Sequence, residues 1–217
     1  MKRLNTFQPV AFAAAVVVMS FLSVPSFAQP VAESPAATPA GTVTTFHRKS
    51  SGSLGTFDGP VVWTFTHATW EGRPAVIQMA RLGGSAFDPK THANMATLDA
   101  EGKATMVFDP PVGFQWPMQV GKTWTSKHTV ITPATGRSVP LEVNWKVEAW
   151  EEVTVPAGTF KAYKVVTTNN FGEVETRWTA PAAGIVLAKR LVTRPASHPQ
   201  GAGELEAVLL SQVPPAK

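Results

Sequence analysis

Five histidines, a serine- and glycine-rich stretch, a few closely spaced carboxylates and seven tryptophans are the residues of this chain whose types could do chemistry. The histidines are His47, His67, His92, His128 and His198, and no H-x-H or H-x-x-x-H spacing occurs among them. A local zinc site needs such a spacing, because two ligands must reach one ion from neighbouring positions. His67 and His128 both fall on predicted strands, so only strand pairing could bring them together. Ser50-Ser51-Gly52-Ser53-Leu54-Gly55 lacks the G-x-S-x-G spacing that lifts a serine nucleophile onto a strand-to-helix elbow, and no helix is predicted after it. Asp99 with Glu101, and Glu173 with Glu175, are the nearest same-face carboxylate pairs for glycoside hydrolysis. Both pairs read as solvated strand faces. Gly83-Gly84 is too short to cradle a phosphate. We therefore expect no catalytic residue, no metal ligand and no cofactor, and a protein that is not an enzyme.

The aromatics remain. Trp63, Trp70, Trp124, Trp145 and Trp178 fit core positions. Trp150 lies on the polar parity of a long predicted strand, and Trp116 sits in the Pro/Gly-rich loop from Pro110 to Pro117. An exposed tryptophan beside a concave sheet can stack on a sugar ring or cover an acyl chain, so Trp116 and Trp150 are the candidate ligand-binding residues. Most tryptophans are largely buried, which leaves packing beneath a loop as the alternative.

The elements that would hold them are strands. Between 139 and 155, Val139, Leu141, Val143, Trp145, Val147, Ala149, Val153 and Val155 share one parity, while Glu142, Asn144, Lys146, Glu148 and Glu152 occupy the other. A period of two over that length means one long strand, or two joined by a bend, with one face buried. Glu151 and Trp150 break the alternation, which predicts a bulge near them. Val61, Trp63 and Phe65 share a face, and Gly72 with Pro74 punctuates the step to Ile77 and Met79. Ala100-Glu101-Gly102-Lys103 reads as a hairpin turn. Pro156 and Gly158 form the next reversal, since proline fixes its own φ and glycine accepts a left-handed one, and Pro181 with Gly184 serve likewise. These signals predict an all-β, single antiparallel domain of about ten strands. Its sheet curls into a half-barrel, barrel or sandwich, because ten twisted strands rarely stay flat. Helix is confined to one short turn near Pro89–Asn94.

Lys2 and Arg3, the apolar run from Val10 to Val24 and the small residues of Ser26-Phe27-Ala28 form the pattern of a secretory signal peptide over residues 1–28. The apolar run is shorter than the roughly 20 residues of a spanning helix, so we expect cleavage before Gln29, no membrane span afterwards, and a periplasmic or secreted product. Residues 29–41 are a Pro/Ala-rich flexible leader, 42–213 the β domain and 214–217 a loose tail. The chain has no cysteine, which excludes disulfides, thiolate metal sites and a lipid-modified N-terminal cysteine. Without Lys2 and Arg3 it carries 17 basic and 15 acidic side chains, a net of +2 with no basic run, so nucleic acid is not an expected partner.

Four segments in order resemble an exported bacterial family, the domain of unknown function 3108 and its TapB-like relatives. They are Pro117-Met118-Gln119-Val120-Gly121-Lys122-Thr123-Trp124, then Glu152-Val153-Thr154-Val155-Pro156-Ala157-Gly158-Thr159-Phe160-Lys161-Ala162, then Trp178-Thr179-Ala180-Pro181-Ala182-Ala183-Gly184-Ile185-Val186, and Gly203-Glu204-Leu205. They span residues 117–205, about half of the mature chain. Thr179 stands where many relatives carry an aromatic residue. The resemblance implies a periplasmic antiparallel β domain and brings no reaction, cofactor or catalytic residue. Together these readings favour a non-catalytic binding module for an apolar or amphipathic ligand, a lipid or an envelope glycan. The alternatives are an accessory protein of an envelope assembly that docks a protein partner through an open sheet edge and, last, a hydrolase assembled from residues distant in sequence.

Overall fold

The computed structural model describes residues 30–215. The expected signal peptide, residues 1–28, lies outside the described residues. Twelve strands follow one another: β1 (Val43–Gly52), β2 (Phe57–Trp70), β3 (Arg73–Ala80), β4 (Gly83–Phe87), β5 (Asn94–Leu98), β6 (Ala104–Val112), β7 (Thr123–Thr132), β8 (Arg137–Val155), β9 (Gly158–Asn169), β10 (Val174–Ala180), β11 (Ile185–Arg194) and β12 (Gly203–Val213). Each pairs antiparallel with the next, and β1 pairs with β12 from Val43↔Val213 to Gly52↔Gly203, so the sheet closes into an up-and-down barrel. Among the described residues every strand is paired on both sides, so the barrel does not present the open sheet edge considered for partner docking.

The all-β reading holds, with more strands than the expected ten or so. β1 and β4 were not legible as strands, because Thr44, Arg48 and Ser50 on one and Gly83, Gly84 and Ser85 on the other lack an apolar face. The turn expected to be helical near Pro89–Asn94 is an irregular loop, and a single 3-10 turn sits instead at Pro181–Ala183, closed by Gly184 at φ 71°. Pro156 and Ala157 form the two-residue connection between β8 and β9, with Gly158 following at φ 136°. The bulge of β8 falls between Val147 and Ala149, just before the predicted place. Beyond it Trp150 pairs with Tyr163, whereas Val153 and Val155 turn towards Ile185, Ala188 and Leu209.

Strand number dictates what lies inside. An eight-stranded barrel is filled by its own side chains, and diameter grows roughly linearly with strand count, so twelve strands enclose more room than inward side chains fill. Here the end carrying the β2–β3, β4–β5, β6–β7 and β8–β9 connections, the lower end, is stopped by chain. The 112–120 segment sends Phe114 and Met118 against Val143, Trp145 and Val165, and Met118 is fully buried. The β8–β9 hairpin crosses that end, where the Ala157 N–H donates to the Leu209 carbonyl of β12 at 3.1 Å.

Residues 30–41, expected as a flexible leader, are tied to this same end. Ala32 bridges to Met118 by two backbone hydrogen bonds of 3.0 and 2.8 Å, and the Tyr163 hydroxyl donates to the Pro30 carbonyl at 2.6 Å. Ala36 is buried. Prolines hold this segment extended and small side chains let it lie close, so a composition that reads as a linker also suits a strap. The outer face of β7, β8 and β9 is charged, with Lys127–Glu142, Lys161–Glu152 and Lys164–Glu148 pairing across neighbouring strands. Among the described residues no helix is long and apolar enough to cross a membrane.

Candidate functional site

The barrel encloses a cavity of about 980 Å³ that runs from Gly55, Thr56 and Leu82 at the upper rim down to Ala37, His92 and Phe114. That is the upper end of the range for small-molecule sites, roughly 300–1,000 Å³. A shallower recess of about 380 Å³ lies between the leader and the β4–β5 loop, and shares His92 with it.

The cavity has two unlike walls. Trp63 and Phe65 of β2, Phe87 of β4, Phe108 of β6 and Trp145 of β8 make one of them aromatic. Phe114 rises from below and meets Trp145 edge-on at 5.6 Å between ring centres. The other wall is ionic. Inward residues of β10, β11 and β1 contribute Glu175, Arg177, Arg190, Arg194 and Arg48, with Glu173 just before β10. β11 and β5 lie six positions apart in the ring of twelve strands, so the ionic wall faces the middle of the aromatic one.

The ionic wall is organised by register. Arg177 stands directly opposite Arg190, Arg190 opposite Ala207, Ala207 opposite Arg48, and Arg48 opposite Gly59. Like charges directly across a sheet repel. Glu175, two residues from Arg177 on the same face, relieves that repulsion. Its carboxylate accepts from Arg190 Nε at 2.7 Å and Nη2 at 3.3 Å, and from Arg177 Nε and Nη2. Burial alone would raise the Glu175 carboxyl, but the charges and hydrogen bonds of Arg177 and Arg190 outweigh it and hold it at about 2. Glu173 pairs with Arg194, which also donates to Gln200 at 2.6 Å. Among the described residues no carboxylate pairs with Arg48. Its guanidinium donates to the Leu54 carbonyl at 2.7 Å and to Ser50 Oγ at 3.3 Å. Burial, and then the neighbouring Arg190 charge, lower its pKa.

Near the lower end, His92 stacks on Phe87 at 4.5 Å with φ 57°, and its Nε2 has no hydrogen-bond partner. Burial and the Arg177 charge push this imidazole down to about 4, so it is neutral at neutral pH. Thr44 Oγ1 and Asn94 Oδ1, also lining the cavity, are likewise buried without partners. A buried polar atom left unpaired costs about 1–3 kcal/mol.

Neither tryptophan singled out from the sequence lines this cavity. Trp116 donates its Nε1–H to the Thr91 carbonyl at 2.9 Å, tying the 112–120 segment to the β4–β5 loop. Trp150 lies tilted on Tyr163 at 4.5 Å between ring centres, over the strap. Both pack at the closed end. The histidines also separate. His67 is exposed and bonded to the Thr38 carbonyl, whereas His128 is buried with its ring nitrogens bonded to the Pro110 carbonyl and Ser126 Oγ. Glu173 and Glu175, read as a solvated face, point into the barrel instead, because the parity they share with Arg177 is the inward one. Alternation cannot tell inside from outside when both faces are polar.

No family model and no curated protein matches the chain in sequence. Solved structures of similar shape include a candidate exported protein with a YmcC-like fold from Bacteroides fragilis NCTC 9343, 13% identical, TM-score 0.48, covering 83% of this chain and 99% of that one. A candidate lipoprotein from Parabacteroides distasonis ATCC 8503 is 12% identical with TM-score 0.43, covering 82% of this chain and 97% of its own. The hypothetical lipoprotein YmcC of Escherichia coli (K12) is 13% identical with TM-score 0.44, covering 82% and 87%. Likeness at this level carries no argument about what the cavity holds, which its own lining must supply.

Proposed function

We propose that this is an exported, non-catalytic binding module that holds the chain of an apolar or amphipathic ligand inside its barrel. One observation carries the reading: a cavity of about 980 Å³, stopped below by Phe114 and the strap and walled by Trp63, Phe65, Phe108 and Trp145. Burying an acyl chain against such a wall is favourable by roughly 25 cal/mol per Å² of apolar surface removed from water. A lipid chain suits it better than a glycan, since the aromatics line an interior rather than an open stacking platform. The signal-peptide pattern supports export, in keeping with the resemblance of residues 117–205 to an exported family. Two of the ionisable groups support a non-catalytic role. Glu175 is committed to two arginines and His128 to two oxygens, so neither is free to shuttle a proton.

The test is titration of the purified protein with the neutral fluorophore N-phenyl-1-naphthylamine. Thr97 faces the cavity from β5, and Thr97→Phe shortens it. The expected result is saturable enhancement with the parent protein and a loss of about tenfold or more in affinity with Thr97→Phe, the size of one misplaced apolar group. Absence of saturable binding, or equal binding by a correctly folded Thr97→Phe, contradicts the reading.

A further inference from the structure

The ionic wall says what the head of that ligand is. Five arginines line the cavity, Arg48, Arg81, Arg177, Arg190 and Arg194, against two carboxylates, Glu173 and Glu175. Arg81 sits exposed at the rim, which leaves four interior guanidinium groups to two carboxylates. Glu175 and Glu173 are spent on Arg177, Arg190 and Arg194. Among the described residues Arg48 is left with neutral oxygens only, in the same register row as Arg190. An interior cation without a counter-charge is costly, and two facing one space more so.

The row also has room. Ala207 stands between Arg190 and Arg48, and Gly59 stands beyond Arg48, so no large side chain covers the guanidinium groups from the adjacent strands. Arg177 and Arg190 keep 34% and 36% of their side-chain surface accessible although they lie inside the barrel, and that surface faces the cavity. A guanidinium presents a planar fork of donors that fits a carboxylate or phosphate edge.

We propose that the cavity recognises an anionic amphiphile, its carboxylate or phosphate head seated between Arg48 and Arg190 and its chain laid against the aromatic wall of β2, β4, β6 and β8. This rests on the reading of the cavity as a chain-binding site and adds the charge of the head. The anion supplies the counter-charge that Arg48 lacks.

The experiment compares four competitors for bound N-phenyl-1-naphthylamine: dodecanoate, methyl dodecanoate, dodecyl phosphate and inorganic phosphate. Parent protein, Arg48→Met and the control Arg137→Met, at an exposed arginine outside the cavity lining, are used, each checked for its melting temperature. The expected result is that dodecanoate or dodecyl phosphate binds about tenfold or more tightly than the ester, as a charge-assisted hydrogen bond implies. Arg48→Met brings the anions down to the level of the ester without lowering the melting temperature, since it removes a like charge beside Arg190, and Arg137→Met leaves the preference intact. Equal binding of ester and anions overturns the anionic head and leaves the chain site standing. Inorganic phosphate binding as tightly as dodecyl phosphate overturns the amphiphile, because the chain then adds nothing. Failure of the fluorophore itself to bind overturns both readings.

Discussion

Glu175 is the residue on which the ionic wall depends. Inside the barrel it touches two arginines that would otherwise face each other across β10 and β11. Removing one partner of a buried ionic cluster leaves uncompensated charge and costs about 3–5 kcal/mol. Glu175→Gln should lose that much in urea unfolding, whereas the exposed Glu142→Gln, which loses a surface pair with Lys127, should lose less than about 1 kcal/mol. Acid acts on the same group. Its carboxyl ionises at about 2 in the fold and near 4.5 when unfolded, so the unfolded chain takes up the proton first. The stability Glu175 contributes is complete above pH 4.5 and drains away between about 4.5 and 2. His92 acts in a higher window. Its imidazole accepts a proton at about 4 in the fold against 6.5 unfolded, so its contribution is lost as pH falls from about 6.5 to 4. Unfolding measured from pH 7.5 to 2.5 should therefore weaken in two overlapping stages. His92→Phe, which keeps the stack on Phe87, should flatten the upper stage, and Glu175→Gln the lower.

At the scale of the elements, the barrel is held by register and by what stops its lower end. Gly84 lies where β3 and β4 meet, and a Cβ there would fall 2.1 Å from the Gln78 carbonyl oxygen and 2.4 Å from the Met79 sulfur. Gly84→Ala should therefore spread that pair and cost about 1–3 kcal/mol by denaturant unfolding. The strap should respond to one hydroxyl. Tyr163→Phe removes the bond to the Pro30 carbonyl, at a cost of about 1 kcal/mol, and should raise hydrogen exchange and proteolysis at residues 30–36 more than in the strands. How far these elements were legible follows from what each side chain faces. β8 was plain because Val143, Trp145 and Val147 pack against other chain inside the barrel, so one parity is strictly apolar. β1 was obscure because its inward residues alternate Thr44, Phe46, Arg48 and Ser50, facing a cavity that is partly polar. Strap and linker share a composition, and only the partners Met118 and Tyr163 distinguish them.

Over the whole molecule, twelve strands make a barrel too wide to fill itself, and the chain stops one end while leaving an asymmetric interior. Local patterns carried the class of fold, the turns at Pro156–Gly158 and Pro181–Gly184, and the curl of the sheet. They did not carry the site. Arg177 and Arg190, 13 residues apart, meet across the local β10–β11 pairing, but Arg48, 129 residues before Arg177, joins them only because β1 closes on β12, a contact that no periodicity announces. Trp150 stands out by its polar parity and Trp116 by its Pro/Gly-rich loop, and both signals reported the stopper of the barrel instead of its lining. A count of charged residues on the faces of predicted strands could have flagged the row, since three arginines at inward parity are unusual for a filled core.

The central claim is that the interior holds an anionic amphiphile with its head at Arg48 and Arg190. A crystal structure grown with 12-bromododecanoate tests it most directly, because bromine marks the end of the chain by anomalous scattering. The account predicts one bromine peak inside the barrel beside Phe108 or Trp145, with the carboxylate within hydrogen-bond distance of Arg48. Bromine found only on the outer wall, or a carboxylate turned away from the arginines towards the rim, would contradict it.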